Sequence, residues 1–410
     1  MEAIFSYGGN SMDSAIHTAW STAVARFFCP DTELFYEFVY DDTGKAWDNL
    51  PTLADIHSAY PNPCGWGTGM EDSVMNGGTA LDALVSSDEL YAGDERKKFA
   101  DSVFRGLLRC TASEQSKGFV ARSVSPYDGR SHYPESSRDQ YTHLVYAFLH
   151  FYFSPLSDSE QRARIRSVLT DIAEKCRREV TAENDFNMLR EDGTVGKVNK
   201  MWSDIGTHEW MRLPMFYLAA FAVTGKPDYE KLYMQYRDAA LQNSVSHSPE
   251  QSRCYCSLQM QCSLRAAYDY DADQSFRADL LALMKRIADY GEKKAIENSA
   301  EFCKPFYQPD LSCRFRPWNR IKLHDYGVFE GYRYLNSREP VENRTFYPVR
   351  EVGEGAMLAA MCPERPVSQA LVRAVLNMAG AIDFQKHSSV YAPLYLACAY
   401  ALCKENLQNI

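Results

Sequence analysis

Apolar side chains recur along this chain at the 3.6-residue period of an α-helix and almost never alternate at the two-residue period of a strand. Ile165, Val168, Leu169, Ile172 and Cys176 trace one face of a helix over about 159–180. Phe276, Leu280, Leu283, Met284 and Ile287 do the same over about 273–290. Comparable stretches near 14–28, 71–87, 94–110, 138–153, 206–223, 228–243, 250–268, 322–335, 352–361, 367–380 and 390–404 bring the expected total to roughly thirteen helices. Such a chain buries its apolar stripes by packing helix on helix, so an all-α fold is expected. No stretch approaches the ~18 consecutive apolar residues of a membrane span, so no membrane partner is expected.

The punctuation between these stretches narrows the architecture. Ser157-Asp158-Ser159-Glu160 reads as an N-cap with an acidic first turn, and Pro366 suits a first helical position. Gly225-Lys226-Pro227-Asp228 ends one helix and starts the next within a few residues, which makes the two antiparallel neighbours. Short connections such as 224–227 and 244–249 alternate with long ones over about 30–68, 112–136, 184–203, 298–320 and 336–350. Loops that long are uncommon unless they do something. A solenoid would repeat its sequence every ~34–45 residues, and no such self-similarity is visible. About six antiparallel hairpins with long loops on one side predict a single (α/α)6 toroid over residues 1–410, its inner helices ringing a funnel.

Composition limits the partners. The net charge is −10, which argues against nucleic acid, because phosphate binding needs a basic face. Twelve cysteines in 410 residues are too sparse for a disulfide scaffold, and Met1-Glu2-Ala3-Ile4-Phe5 does not open a signal peptide, so a cytoplasmic location is expected. Aromatic residues reach 13%, led by 26 Tyr, and such side chains suit a groove for something flat and hydroxylated.

Four polar clusters interrupt the amphipathic rhythm at helix starts. In Gly65-Trp66-Gly67-Thr68-Gly69-Met70-Glu71-Asp72 the glycines let backbone approach a ligand, while Glu71 and Asp72 also suit a helix N-terminus for electrostatic reasons alone. Ser136-Ser137-Arg138-Asp139-Gln140-Tyr141-Thr142-His143 follows the loop that carries Arg122. It is either a capping arrangement or a site in which Asp139 transfers protons and Arg122 or Arg138 grips an anion. Met201-Trp202-Ser203-Asp204-Ile205-Gly206-Thr207-His208-Glu209-Trp210-Met211-Arg212 crowds indoles, a histidine and an arginine around Asp204, which alternatively serves as an N-cap. Arg314-Phe315-Arg316-Pro317-Trp318-Asn319-Arg320, followed by His324-Asp325-Tyr326, reads as a carboxylate-recognition loop or as a salt-bridged anchor. Cys254-x-Cys256 with Cys262 lies in a helical pattern that does not put the thiols on one face, so neither metal nor cofactor is expected.

Trp202-Ser203-Asp204 leading into Arg212-Leu213-Pro214-Met215-Phe216-Tyr217-Leu218-Ala219, with Val223–Tyr229 as a hairpin turn, resembles the six-hairpin glycosidase superfamily. The likeness is to its unsaturated glucuronyl and rhamnogalacturonyl hydrolases, with Ile205 standing where that family has Gly. The resemblance implies that Asp204 is the general acid/base and that Asp139 is the second carboxylate. Independently of it, Trp66, Trp202, Trp210, Trp318 and Tyr133, in long loops or helix starts beside Asp, His and Arg, are the aromatic residues expected to bear on function.

The leading expectation is therefore a glycoside hydrolase acting on uronic-acid-containing oligosaccharides. Asp204, Asp139 and His208 are its catalytic candidates. Trp66, Glu71, Asp72, Arg122, Arg138, Tyr141, His143, Trp202, Trp210, Arg212, Arg316, Trp318 and Arg320 are its substrate-binding candidates. The desolvating indoles beside Asp204 are expected to raise its pKa. A polysaccharide lyase is the alternative, with Tyr141 or Tyr133 and His143 or His208 abstracting a proton. A non-catalytic carbohydrate-binding protein is the third reading.

Overall fold

The structure, a computed structural model, describes residues 13–303, 311, 313–322, 326–329, 332–335 and 343–407. Two sets of helices alternate along the chain. The outer set is α1 (Asp13–Phe27), α4 (Gly93–Arg109), α6 (Ser159–Glu179), α8 (Pro227–Ser244), α10 (Gln274–Phe302) and α12 (Gln369–Ala381). The inner set is α3 (Ser73–Ser86), α5 (Arg138–Phe153), α7 (Arg212–Thr224), α9 (Cys254–Tyr270), α11 (Asn343–Ala360) and α13 (Pro393–Glu405). A short α2 (Leu53–His57) sits in the first long loop. Each inner helix packs on the next and α13 packs back on α3, closing an all-α (α/α)6 ring.

The sequence explains which helix takes which place. Outer α6 buries one stripe, Ile165, Leu169, Ile172 and Cys176, and leaves its other side polar. Its start is fixed by a complete capping box between Asp158 and Gln161, a device that stabilises a helix by about 1 kcal/mol. Inner α13 is buried on every side from Pro393 to Cys403, and inner α5 from Gln140 to Leu149. A helix apolar all round has to be surrounded by others, and each fully buried Leu or Phe contributes about 2–3 kcal/mol. Gly225, with φ 67°, turns the chain out of α7, and Pro227 opens α8 at once. Where α10 crosses α11, Gly355 meets the carbonyl of Gly291 so closely that no Cβ fits.

Among the described residues, strands form three two-stranded antiparallel pairs. Two are β1 (Phe28–Cys29) with β2 (Leu34–Phe35) and β3 (Asn187–Leu189) with β4 (Val195–Lys200). The third corrects the helix expected over 322–335: β5 (Tyr326–Phe329) pairs with β6 (Tyr332–Leu335), Tyr326 opposite Leu335 and Phe329 opposite Tyr332. Over so short a run the apolar positions fit either period, and the aromatic residues side with the strand. His324 and Asp325 lie outside the described residues. Helix α11 begins earlier than the pattern over 352–361 implies, running through Pro348, and α10 continues to Phe302. No helix among the described residues is long and apolar enough to cross a membrane.

Candidate active site

The N-terminal ends of the inner helices meet at one end of the ring, tied by hydrogen bonds. Asp72, capping α3, accepts at Oδ1 from Arg122 (3.1 Å) and from Gln140 of α5 (2.8 Å), and at Oδ2 from the Tyr391 hydroxyl before α13 (2.6 Å). Arg212, the first residue of α7, donates to Asp139 of α5 (2.8 Å) and to Gln259 of α9 (2.7 Å). Arg350 of α11 pairs with Glu354 and lies 3.9 Å above the Tyr391 ring. Arg138 donates to the Lys200 carbonyl (2.9 Å) and pairs with Glu209 (2.7 Å). Residues of α5, α7, α9 and α11, with those directly before α3 and α13, thus form one polar floor.

Burial makes the charges of this floor unequal. Desolvation, then the neighbouring charge of Asp72, raises the pKa of Glu71, whose Oε2 accepts from the Gly67 amide (3.1 Å). Behind it Glu37 is wholly buried, and burial with Glu71 and Asp72 pushes its carboxyl well up. Asp139 is the reverse case. Burial would raise it, but the guanidinium groups of Arg212, Arg138 and Arg122 together hold it below the usual carboxylate range. Its side chain is still 32% exposed, so one oxygen can meet a ligand. Burial and Arg212 bring His208 down to about 4, and burial brings His143 down to about 4, so both imidazoles are neutral at neutral pH. Burial lifts Glu354 to about 7 in spite of Arg350.

The structure gathers Asp139, His208, Glu71, Asp72, Arg122, Arg138 and Arg212 at this end. It does not bring Asp204 into that set. Ser203 and Asp204 both have positive φ, at 59° and 49°, and this tight turn aims the Asp204 carboxylate outward, 90% exposed and 4.0 Å from Lys200. The desolvation expected there is absent. Trp202 and Trp210 pack edge-on against each other (4.8 Å), with Trp202 also against Tyr236, half-buried on the core.

Several other candidates are anchors. Tyr141 is buried with its hydroxyl accepting from the Val120 amide (3.2 Å), and Tyr133 is buried donating to the Tyr60 carbonyl (2.6 Å). Neither hydroxyl is placed as a base. His143 is buried beneath the floor, 3.4 Å from Thr79 Oγ1. Trp318 is buried with Ile321 and Leu335 and donates to the Asn49 carbonyl (3.0 Å), so it fastens a loop and does not face a ligand. Arg316 is half-buried and Arg320 exposed on either side of it. Trp66 stands half-buried at the mouth against Tyr332 and Tyr334. No group of three or more His, Cys, Asp or Glu among the described residues is placed to hold a metal ion.

No protein-family model and no curated protein matches this chain. Among solved structures, a sugar epimerase from a ruminal bacterium aligns over 96% of this chain and 99% of its own, at 9% identity and a TM-score of 0.50. The chain has the six-hairpin (α/α)6 fold. A cellobiose 2-epimerase from Spirochaeta thermophila aligns over 97% and 98% of the two chains, at 11% identity and a TM-score of 0.43. An alpha-1,6-mannanase from a Salegentibacter species covers 68% of this chain and 87% of its own, at 12% identity and a TM-score of 0.35.

Within the six-hairpin frame, the residues that sequence reasoning missed are Glu37, Gln140, Gln259, Arg350, Glu354 and Tyr391. Three of them left a trace. Gln259 is a polar residue inside a helix otherwise read as core, and Arg350 and Glu354 are an i, i+4 ionic pair in an apolar stretch, where only a polar axis would tolerate them. Glu37 lies in a long loop whose path no local pattern reveals.

Proposed function

We propose that this protein is a carbohydrate-active enzyme, a glycoside hydrolase in which Glu71 donates the proton to the leaving oxygen and Asp139 serves as the ionised carboxylate. One observation carries the reading: two carboxyl groups, starting adjacent inner helices, have environments that push their proton affinities in opposite directions. Arg122 acts on both, donating to the Glu71 carbonyl (2.7 Å) while its charge helps to keep Asp139 ionised. Asp72, held by three donors, fixes the start of α3 and with it the direction of Glu71.

The uronate part of the expectation has a physical argument against it. Arg122, Arg138, Arg212 and Arg350 each already face a protein carboxylate, so none of these four cations is left uncompensated. This supports a neutral, hydroxyl-rich sugar, whose hydroxyls exchange hydrogen bonds with these ion pairs.

The test is release of reducing ends from a panel of neutral and uronate-containing oligosaccharides by wild type, Glu71→Gln and Asp139→Asn. Each substitution is expected to lower kcat by about 10²–10⁴ with the fold intact. Full turnover by either variant overturns the assignment. A second reading, epimerisation next to a sugar carbonyl, draws on His208, a neutral imidazole 20% exposed at the same floor. Deuterium entering the sugar from heavy water, with no new reducing ends, would establish it instead.

A further inference from the structure

We propose that the cleft between the Gly65–Gly69 loop and the β5–β6 hairpin is a stacking subsite for one uncharged ring of an oligosaccharide, the next ring of that chain lying at Glu71. The inference rests on the glycosidase reading above and adds to it a substrate class: a chain of at least two rings.

The cleft has a volume of about 330 Å³ and is lined by Trp66, Gly327, Val328 and Tyr334. That is the small end of the roughly 300–1,000 Å³ range of ligand pockets, fit for one ring. Among the described residues its lining holds no charged side chain, which favours an uncharged occupant. Val328 is 76% exposed and Tyr334 38% exposed. The Trp66 and Tyr334 rings stand at 68° with centroids 6.2 Å apart, two walls of a corner. A sugar ring has apolar C–H faces, and the aromatic faces of this corner complement them.

The corner is joined to the floor by hydrogen bonds. Asn62 accepts from the Trp66 amide (2.9 Å) and donates to the carbonyls of Trp66 (3.1 Å) and Arg333 (2.7 Å), clamping the loop to the hairpin with one side chain. The next residue, Gly67, gives its amide to Glu71, so Trp66 stands one residue from the group that orients the proton donor. On the other side Tyr332 donates to Glu135 (2.8 Å), in the segment that leads into Asp139. The hairpin is thus fastened to the approaches of both carboxylates, which is where a chain passing through the floor would leave it.

The experiment measures binding and turnover separately. Tryptophan fluorescence follows the binding of neutral β-1,4-gluco- and α-1,6-manno-oligosaccharides of two to six rings to the full chain. Wild type should bind at least one series with affinity that rises with chain length. Trp66→Ala and the milder Tyr334→Ala should each cost about five- to tenfold on the longer members and little on the dimer. A hydrophobic peptide that binds the cleft more tightly than any of these sugars would overturn the proposal, as would wild-type affinity that is independent of length or absent, or retained length dependence in both variants. If Glu71→Gln abolishes turnover while Trp66 is irrelevant to binding, the subsite fails and the hydrolase stands. If binding follows Trp66 and no product forms, the hydrolase fails and the subsite stands.

Discussion

Replacing Arg212 with Met isolates the electrostatic logic of the floor. The guanidinium is buried and makes two charge-assisted hydrogen bonds, 2.8 Å to Asp139 and 2.7 Å to Gln259. Met fills most of the same stem without the charge. Each lost bond is worth about 1.5–3 kcal/mol, but the cost is discounted on the Asp139 side, where a third of the carboxylate is open to water. Gln259 is buried and is left without that donor. A loss of about 3 kcal/mol in folding stability at neutral pH is expected. The pH dependence carries the sharper statement. Asp139 is depressed in the folded state, so it stabilises the fold above its unfolded pKa and that contribution is lost as pH falls through the folded value. Removing the strongest of its three cationic neighbours raises its folded pKa, so the gap between wild type and Arg212→Met should narrow in acid. Urea denaturation at pH 7 and near pH 3, with a carboxyl-carbon NMR titration of Asp139, reads both quantities. An equal gap at the two pH values, together with an unmoved Asp139 titration, would refute the reasoning.

Other expectations are quicker to test. Asp204→Asn should keep turnover within about threefold of wild type, because its carboxylate lies in solvent; a loss of 10² or more would return the acid role to it. Glu354 titrates near 7 in the fold against an ordinary 4.5, so the folded state holds its proton more tightly and stability should decline as pH rises through about 5 to 7. In Glu354→Gln that decline should flatten, and an unchanged slope in a pH series of melting temperatures counts against the assignment. Gly67→Ala should be costly, since φ is 80° and a Cβ would stand 2.7 Å from that of Leu335. The strain is about 1–3 kcal/mol, and displacement of the hairpin should raise KM for long substrates more than for short ones.

The helical ring was legible because burial writes itself into period. Outer α6 and the first half of α10 follow the apolar spacing residue by residue, and the capping box at Asp158 marks a boundary through local hydrogen bonds alone. The cluster Arg138-Asp139 was visible for a related reason: charged residues in the first turn of a helix buried all round need a polar place to stand. The hairpin at 326–335 was not legible, since ten residues of mixed aromatic and polar character fit both periods and the choice is made by what they pack against.

The amino-acid sequence by itself determined that this chain is all-helical, that its helices pair into hairpins, and that acids and arginines gather at helix starts. Only the tertiary structure decided which of those acids works with which arginine. Asp139 is drawn to Arg212, which follows it by 73 positions, while Asp204, nearer to Arg212 in the chain, is turned out to water by two left-handed residues. Glu37 reaches Glu71 and Asp72 through a loop no pattern describes, and Tyr391 reaches Asp72 from the far end of the chain because the ring closes. Proton affinity follows from burial and from neighbouring charges in space, and neither exists until the ring has closed.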